Sequence, residues 1–117
     1  MLMMLAILLS AQTGYARPEL LVDGSWLAAH LGDANVRIVD LRTRGYGDSH
    51  IPGAVWLDNN AIRIATRPPT FLPTAQEFED LMARLGISNG TRVIAYDNRG
   101  GIYATRLWWI LNYYGHS

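Results

Sequence analysis

The chain has 117 residues, half of them hydrophobic, and its ten basic and ten acidic side chains cancel to zero net charge. Those figures allow one small globular domain and exclude both a disordered chain and a nucleic-acid binder driven by charge. Cysteine is absent, which removes disulfides, cysteine-containing zinc sites and thiol catalysis from the functions open to these residues.

Every basic residue is Arg, and their scatter along the chain reads as a compositional bias rather than an electrostatic design. His30, His50 and His116 lie far apart and show no ligand spacing, so neither a metal nor another cofactor is expected. Residues 1–9 are apolar and residues 10–16 more polar, with the small Gly14 and Ala16 at −3 and −1 of a cut before Arg17. This pattern predicts a signal peptide over residues 1–16, a domain over residues 17–117, and a periplasmic or secreted location, with the cytoplasm as the alternative. The apolar run is far shorter than the roughly 20 residues a membrane span needs.

Leu20, Leu21 and Val22 read as a short strand. Asp23 or Ser25 caps a helix through Trp26, Leu27 and Leu31 that stops at Gly32-Asp33. Residues 36–41, VRIVDL, are nearly continuously apolar, as in a strand covered on both faces. Residues 44–50 form a polar turn with room for one helical turn, and residues 54–57 a third strand. Pro68, Pro69 and Pro73 make residues 59–73 a loop. Thr74 with Glu77 is a capping box, and Phe78, Leu81, Met82 and Leu85 are the buried stripe of the helix that follows. Gly86 ends that helix.

The most informative stretch comes last. Val93, Ile94, Ala95 and Tyr96 form a short strand, residues 97–101 a tight polar turn, and residues 102–114 an apolar helix stopped by Gly115. A turn of this kind aims backbone N–H groups at one point, backed by the helix dipole, and so makes an anion cradle at the sheet edge where function usually sits in α/β folds. The alternation predicts an α/β fold with a parallel sheet and helices on both faces. The aromatic residues Trp108, Trp109, Tyr113 and Tyr114 read mostly as core, with part of the set available to a domain interface.

Two separated stretches carry a family resemblance. Asp40, Arg42, Tyr46, His50, Ile51, Pro52, Gly53 and Ala54 resemble the first signature of rhodanese-like domains, a strand ending in Asp-x-Arg followed by Tyr and His-Ile-Pro-Gly-Ala. AYDNRGGIYATRLWWILNYYGH resembles the strand, loop and helix that hold the active site in catalytic members. It is more similar still to the N-terminal, non-catalytic half of tandem thiosulfate/3-mercaptopyruvate sulfurtransferases. Two motifs in the right order are specific where one is not.

The resemblance implies that the catalytic Cys of active members falls at Asp97, and that Asp97, Asn98, Arg99, Gly100, Gly101 and Ile102 form the active-site-equivalent loop. Sulfur transfer needs a nucleophile that forms a persulfide and releases it, which a carboxylate cannot do. This chain alone is therefore expected to be inactive, with no catalytic residue of its own. Asp40, Arg42, His50, Pro52 and Gly53 are expected to be structural. The implied partner is a second, Cys-bearing rhodanese domain of the same parent chain, facing this one across a cleft where Arg99 meets an anionic sulfur donor. The resemblance also implies a further, central strand beyond residue 117, so the domain is expected to be incomplete at its C-terminus.

A stand-alone inactive module that binds a partner through the same loop is the alternative. Asp97 as a phosphoacceptor is disfavoured, because no Asp-x-Asp accompanies it. Asp97 reads instead as a loop-closing acceptor of backbone N–H bonds. Gly45-Tyr46-Gly47 lacks the third glycine and the helix of a dinucleotide fingerprint.

Overall fold

A computed structural model describes residue 14 and residues 16–116. The signal peptide expected over residues 1–16 lies almost wholly outside them. No helix among the described residues is long and apolar enough to cross a membrane.

Three parallel strands form the sheet: β1 (Val36–Asp40), β2 (Val55–Trp56) and β3 (Arg92–Tyr96), in the order β2-β1-β3. The helices are α1 (Gly24–His30), α2 (Ala75–Arg84) and α3 (Ile102–Tyr113). Asp23 caps α1 by accepting from Trp26 N–H at 2.8 Å. Thr74 and Glu77 form the expected capping box on α2. Register pairs Ile38 with Ile94 and Asp40 with Tyr96, so alternate residues of both strands share a face. Val39 and Leu41, with Val93 and Ala95 beside them, turn to the core that α2 and α3 cover through Phe78, Met82, Leu107, Ile110 and Leu111. On the other face α1 sets its Trp26 ring 4.6 Å from the Arg92 guanidinium. Leu81 and Leu85 pack at the margin of the core.

Three expectations need correction. Leu20, Leu21 and Val22 are not a strand: Pro18–Leu20 is a single 3-10 turn, because a strand requires a ladder partner and none pairs with this segment among the described residues. Residues 59–73 are not wholly loop, since Asn59–Ala61 makes a 3-10 turn and carries the fully buried Ile62 into the core. Of the α3 aromatics, Tyr114 packs on the core, but Trp108, Trp109 and Tyr113 are 44%, 49% and 60% exposed. The buried stripe of α3 is Leu107, Ile110 and Leu111, and the aromatics sit outside it.

Leu107→Ala empties a fully buried position and should cost about 2–5 kcal/mol in denaturant unfolding. Ile102→Ala, at 61% exposure, should cost under about 0.5 kcal/mol.

Candidate functional site

The C-terminal ends of β1 and β3 lie side by side, so the segments leaving them meet. Asp40 ends β1 fully buried, a position an ionised carboxylate tolerates only with partners. Arg42 supplies them: its Nη2 donates to Asp40 Oδ2 at 2.7 Å, its Nε to Oδ1 at 3.1 Å, and its backbone N–H to Oδ1 at 2.8 Å. Tyr96, at the end of β3, donates its hydroxyl to Asp40 Oδ2 at 2.7 Å and accepts from Ile51 N–H at 3.3 Å. Burial pushes the Asp40 carboxyl up, but the bonds from Arg42 and Tyr96 outweigh it and hold the group below the usual carboxylate range.

Arg42 also donates to Ser49 O at 2.6 Å, tying the turn over residues 43–53 to the strand. Within that turn Tyr46 donates to Ala54 O at 2.7 Å and stacks on His50 at 3.9 Å. His50 Nδ1 lies 2.8 Å from Tyr46 O. Gly53 takes φ 80, the left-handed conformation that favours glycine, and Pro52 precedes it exposed on the turn. This bracing needs Tyr96, which the sequence reading assigned only to the strand. A phenol at the end of a buried strand, beside an Asp-x-Arg, was the available signal.

The second segment is the turn from β3 into α3. Gly100 and Gly101 take φ 68 and 91, which turns successive N–H groups inward. Gly101 is the N-cap of α3 and has no side chain to cap it. Asp97 does so from four residues earlier. Its Oδ1 accepts from Arg99 N–H at 2.9 Å and Gly101 N–H at 2.8 Å. Its Oδ2 accepts from Tyr103 N–H at 2.8 Å and Ala104 N–H at 2.9 Å. The anion in the cradle is thus the protein's own carboxylate. Burial pushes Asp97 up, but these four backbone bonds prevail and lower its pKa.

Asn98 clamps the two segments together. Its Oδ1 accepts from Thr43 N–H at 3.2 Å and its Nδ2 donates to Thr43 Oγ1 at 3.1 Å. The Arg99 side chain and Ile102 are exposed, and Arg106 makes no ion pair among the described residues. The cradle therefore holds the protein's own carboxylate, the site offers Arg99 to its surroundings, and it contains no thiol.

A strand–cradle–helix unit at the edge of an open parallel sheet, braced by Asp-x-Arg and a His-Ile-Pro-Gly turn, defines a rhodanese-type domain. Comparison with known proteins agrees: the model of the rhodanese-like domain matches residues 23–117, and the chain belongs to that family. It is 39% identical over 106 residues to the sulfur carrier protein TtuD of Thermus thermophilus, covering 89% of this chain and 37% of that protein. With the 3-mercaptopyruvate sulfurtransferase of Escherichia coli it shares 34% identity over 106 residues, covering 80% of this chain and 38% of the enzyme. The crystal structure of SseA from Escherichia coli, a 3-mercaptopyruvate sulfotransferase, superposes with a TM-score of 0.71 at 32% identity, over 83% of this chain and 42% of that one. The chain spans well under half the length of these relatives.

Asp97→Asn keeps the size of the side chain but turns an NH₂ toward N–H donors, and should destabilise the fold by about 2–4 kcal/mol. A carboxylate lowered in the folded state stabilises above its unfolded pKa of about 3.9, and the contribution is lost as pH falls through the folded value. Stability of the parent should therefore drop on acidification below about pH 4, and the Asn variant should show a shallower acid limb in pH-dependent unfolding.

Arg42→Met strands the buried Asp40 carboxylate and should cost about 3–5 kcal/mol. Asp40→Asn with Arg42→Met should recover part of that loss, a double-mutant cycle measured by urea unfolding.

Proposed function

We propose that these residues form the cysteine-free, N-terminal half of a sulfurtransferase that moves sulfane sulfur from thiosulfate or 3-mercaptopyruvate to a thiophilic acceptor. The catalytic Cys then belongs to a second rhodanese domain of the same polypeptide. The observation that carries this reading is the Asp97 carboxylate seated on four backbone N–H groups. A cradle filled from within has no room for an oxyanion or a persulfide. The limited share of its relatives that the chain spans, 37% of TtuD and 38% of the Escherichia coli enzyme, supports a partner domain.

In this role the half stabilises its neighbour and walls one side of the cleft. The exposed Arg99 contributes positive charge toward the anionic donor, an effect on approach and binding rather than on bond breaking. We propose export as well, on the strength of the apolar segment before Arg17; N-terminal sequencing of the mature protein should then begin at Arg17.

A stand-alone partner-binding module is the second reading, favoured by the exposure of Asn98 and Arg99 on the loop and of Ile102 at the start of α3. Persulfide mapping separates the two. Treated with thiosulfate or 3-mercaptopyruvate, the native gene product should carry a cyanide-labile sulfur on a Cys outside residues 1–117, and residues 1–117 alone should carry none. A native product without such a Cys would overturn the sulfurtransferase reading in favour of the binding module. Arg99→Ala in the native product should raise KM for the anionic donor several-fold with little change in kcat. An unchanged KM would remove Arg99 from the cleft.

A further inference from the structure

The turn that joins α2 to β3 is unused by the site. It runs Ser88-Asn89-Gly90-Thr91, with Asn89 and Gly90 at its corners, both exposed. Its base is tied twice: Thr91 N–H donates to Ser88 O at 3.0 Å, and Ser88 N–H donates to Thr91 Oγ1 at 3.0 Å. The corner takes no part in these bonds. Neither the Asn89 side chain nor the Gly90 N–H has a hydrogen-bond partner among the described residues. No group stands within 4 Å of the place a Gly90 Cβ would take. The backbone nitrogen of a residue without Cβ is thus open to the carboxamide one residue earlier.

The other asparagines lack this combination. Asn98 and Asn112 spend their Nδ2 groups on Thr43 Oγ1 at 3.1 Å and Trp108 O at 2.8 Å, and the bulkier Arg99 and Tyr113 follow them. Asn59 has its Oδ1 buried. No asparagine but Asn89 precedes a glycine. The related pair Asp23-Gly24 is held by the cap bond from Trp26 N–H to Asp23 Oδ1 at 2.8 Å.

We propose that Asn89 is a self-modification site, where the side-chain amide is lost and the main chain is rerouted through the former side chain. The Gly90 nitrogen gives its proton to water and attacks Asn89 Cγ. A C–N bond forms, the bond from Cγ to Nδ2 breaks, and ammonia leaves with a proton taken from water. The five-membered imide then takes up one water. Opening at Cγ leaves aspartate; opening at the main-chain carbonyl leaves isoaspartate, with Gly90 joined through Cγ. The balance is one carboxamide and one water in, one carboxyl group and one ammonia out, with no change of oxidation state.

The effect of the product follows from where the turn sits. Ser88 O also lies 3.1 Å from the His116 ring, just past the end of α3. Arg92 N–H, the first rung of β3, donates to Asn35 O at 2.7 Å. Isoaspartate adds a methylene to a main chain that a two-residue corner closes without slack. The two bonds at the base of the turn are then lost, and the start of β3 loosens from the end of α3. Aspartate adds only a charge, at an exposed position.

Peptide mapping of the native gene product, aged in mildly alkaline buffer, tests this. Trypsin releases residues 85–92, LGISNGTR, in which Asn89 is the single asparagine. That peptide should gain about one dalton over days, and an isoaspartate methyltransferase should label it. Gly90→Ala has open space to enter and no left-handed φ to adopt. It should melt within about two degrees of the parent and slow the gain severalfold. An unmodified peptide, or equal rates in parent and variant, would overturn the proposal. A rate that rises with urea in step with global unfolding would overturn it too, because the reaction would then belong to the unfolded chain.

Melting separates the two products. Asn89→Asp should melt with the parent, and the isoaspartyl form several degrees lower. An isoaspartyl form that melts with the parent would overturn the effect on β3.

Discussion

Four backbone N–H groups converge on the Asp97 carboxylate, and much of the molecule's character follows from that. The first turn of a helix leaves its N–H groups unpaired, and here the helix begins at a glycine that cannot cap them. An anion is needed at that point. In an anion-binding domain it would arrive from solution; here it is tethered one residue past β3. The tether closes the turn, satisfies the helix end and fills the cradle from within.

The neighbouring segment solves a similar problem with opposite parts. Asp40 is fully buried and would be prohibitive alone, so Arg42, Tyr96 and a backbone amide surround it. Because Tyr96 belongs to β3 and Arg42 reaches Ser49, the charge is neutralised only when both strand ends and the His-Ile-Pro-Gly turn are in place. Buried ion pairs add little net stability but penalise wrong arrangements heavily. The Asp40 cluster thus fixes the position of the strand end from which Asp97 springs, and Asn98 fixes the turn to Thr43.

Much of this was legible in the sequence, for reasons that differ by element. β1, β3 and the capping box of α2 are set by local pattern, and the structure places them within a residue or two of expectation. The two rhodanese-like stretches foretold the family. Leu20–Val22 failed because a strand is a relationship: Leu20 ends a 3-10 turn, and Leu21, though extended, has no ladder partner among the described residues. Trp108, Trp109 and Tyr113 failed because α3 is apolar on nearly all sides, so periodicity could not say which stripe faces the core. The buried Ile62 was not foreseen because residues 59–73 read as loop, and a single 3-10 turn carries no period. The Tyr96–Asp40 bond spans 56 positions, so no local period announces it.

The central claim is that Asp97 is an internal ligand, held ionised by the loop it closes. The Asp97 carboxyl pKa, read from its ¹³C chemical shift across an acid titration, tests this most directly. Four N–H donors should hold it below the value of about 3.9 for a free Asp side chain. A midpoint at or above that value would mean that the carboxylate is not seated in the cradle, and that the cradle is open to a ligand from outside.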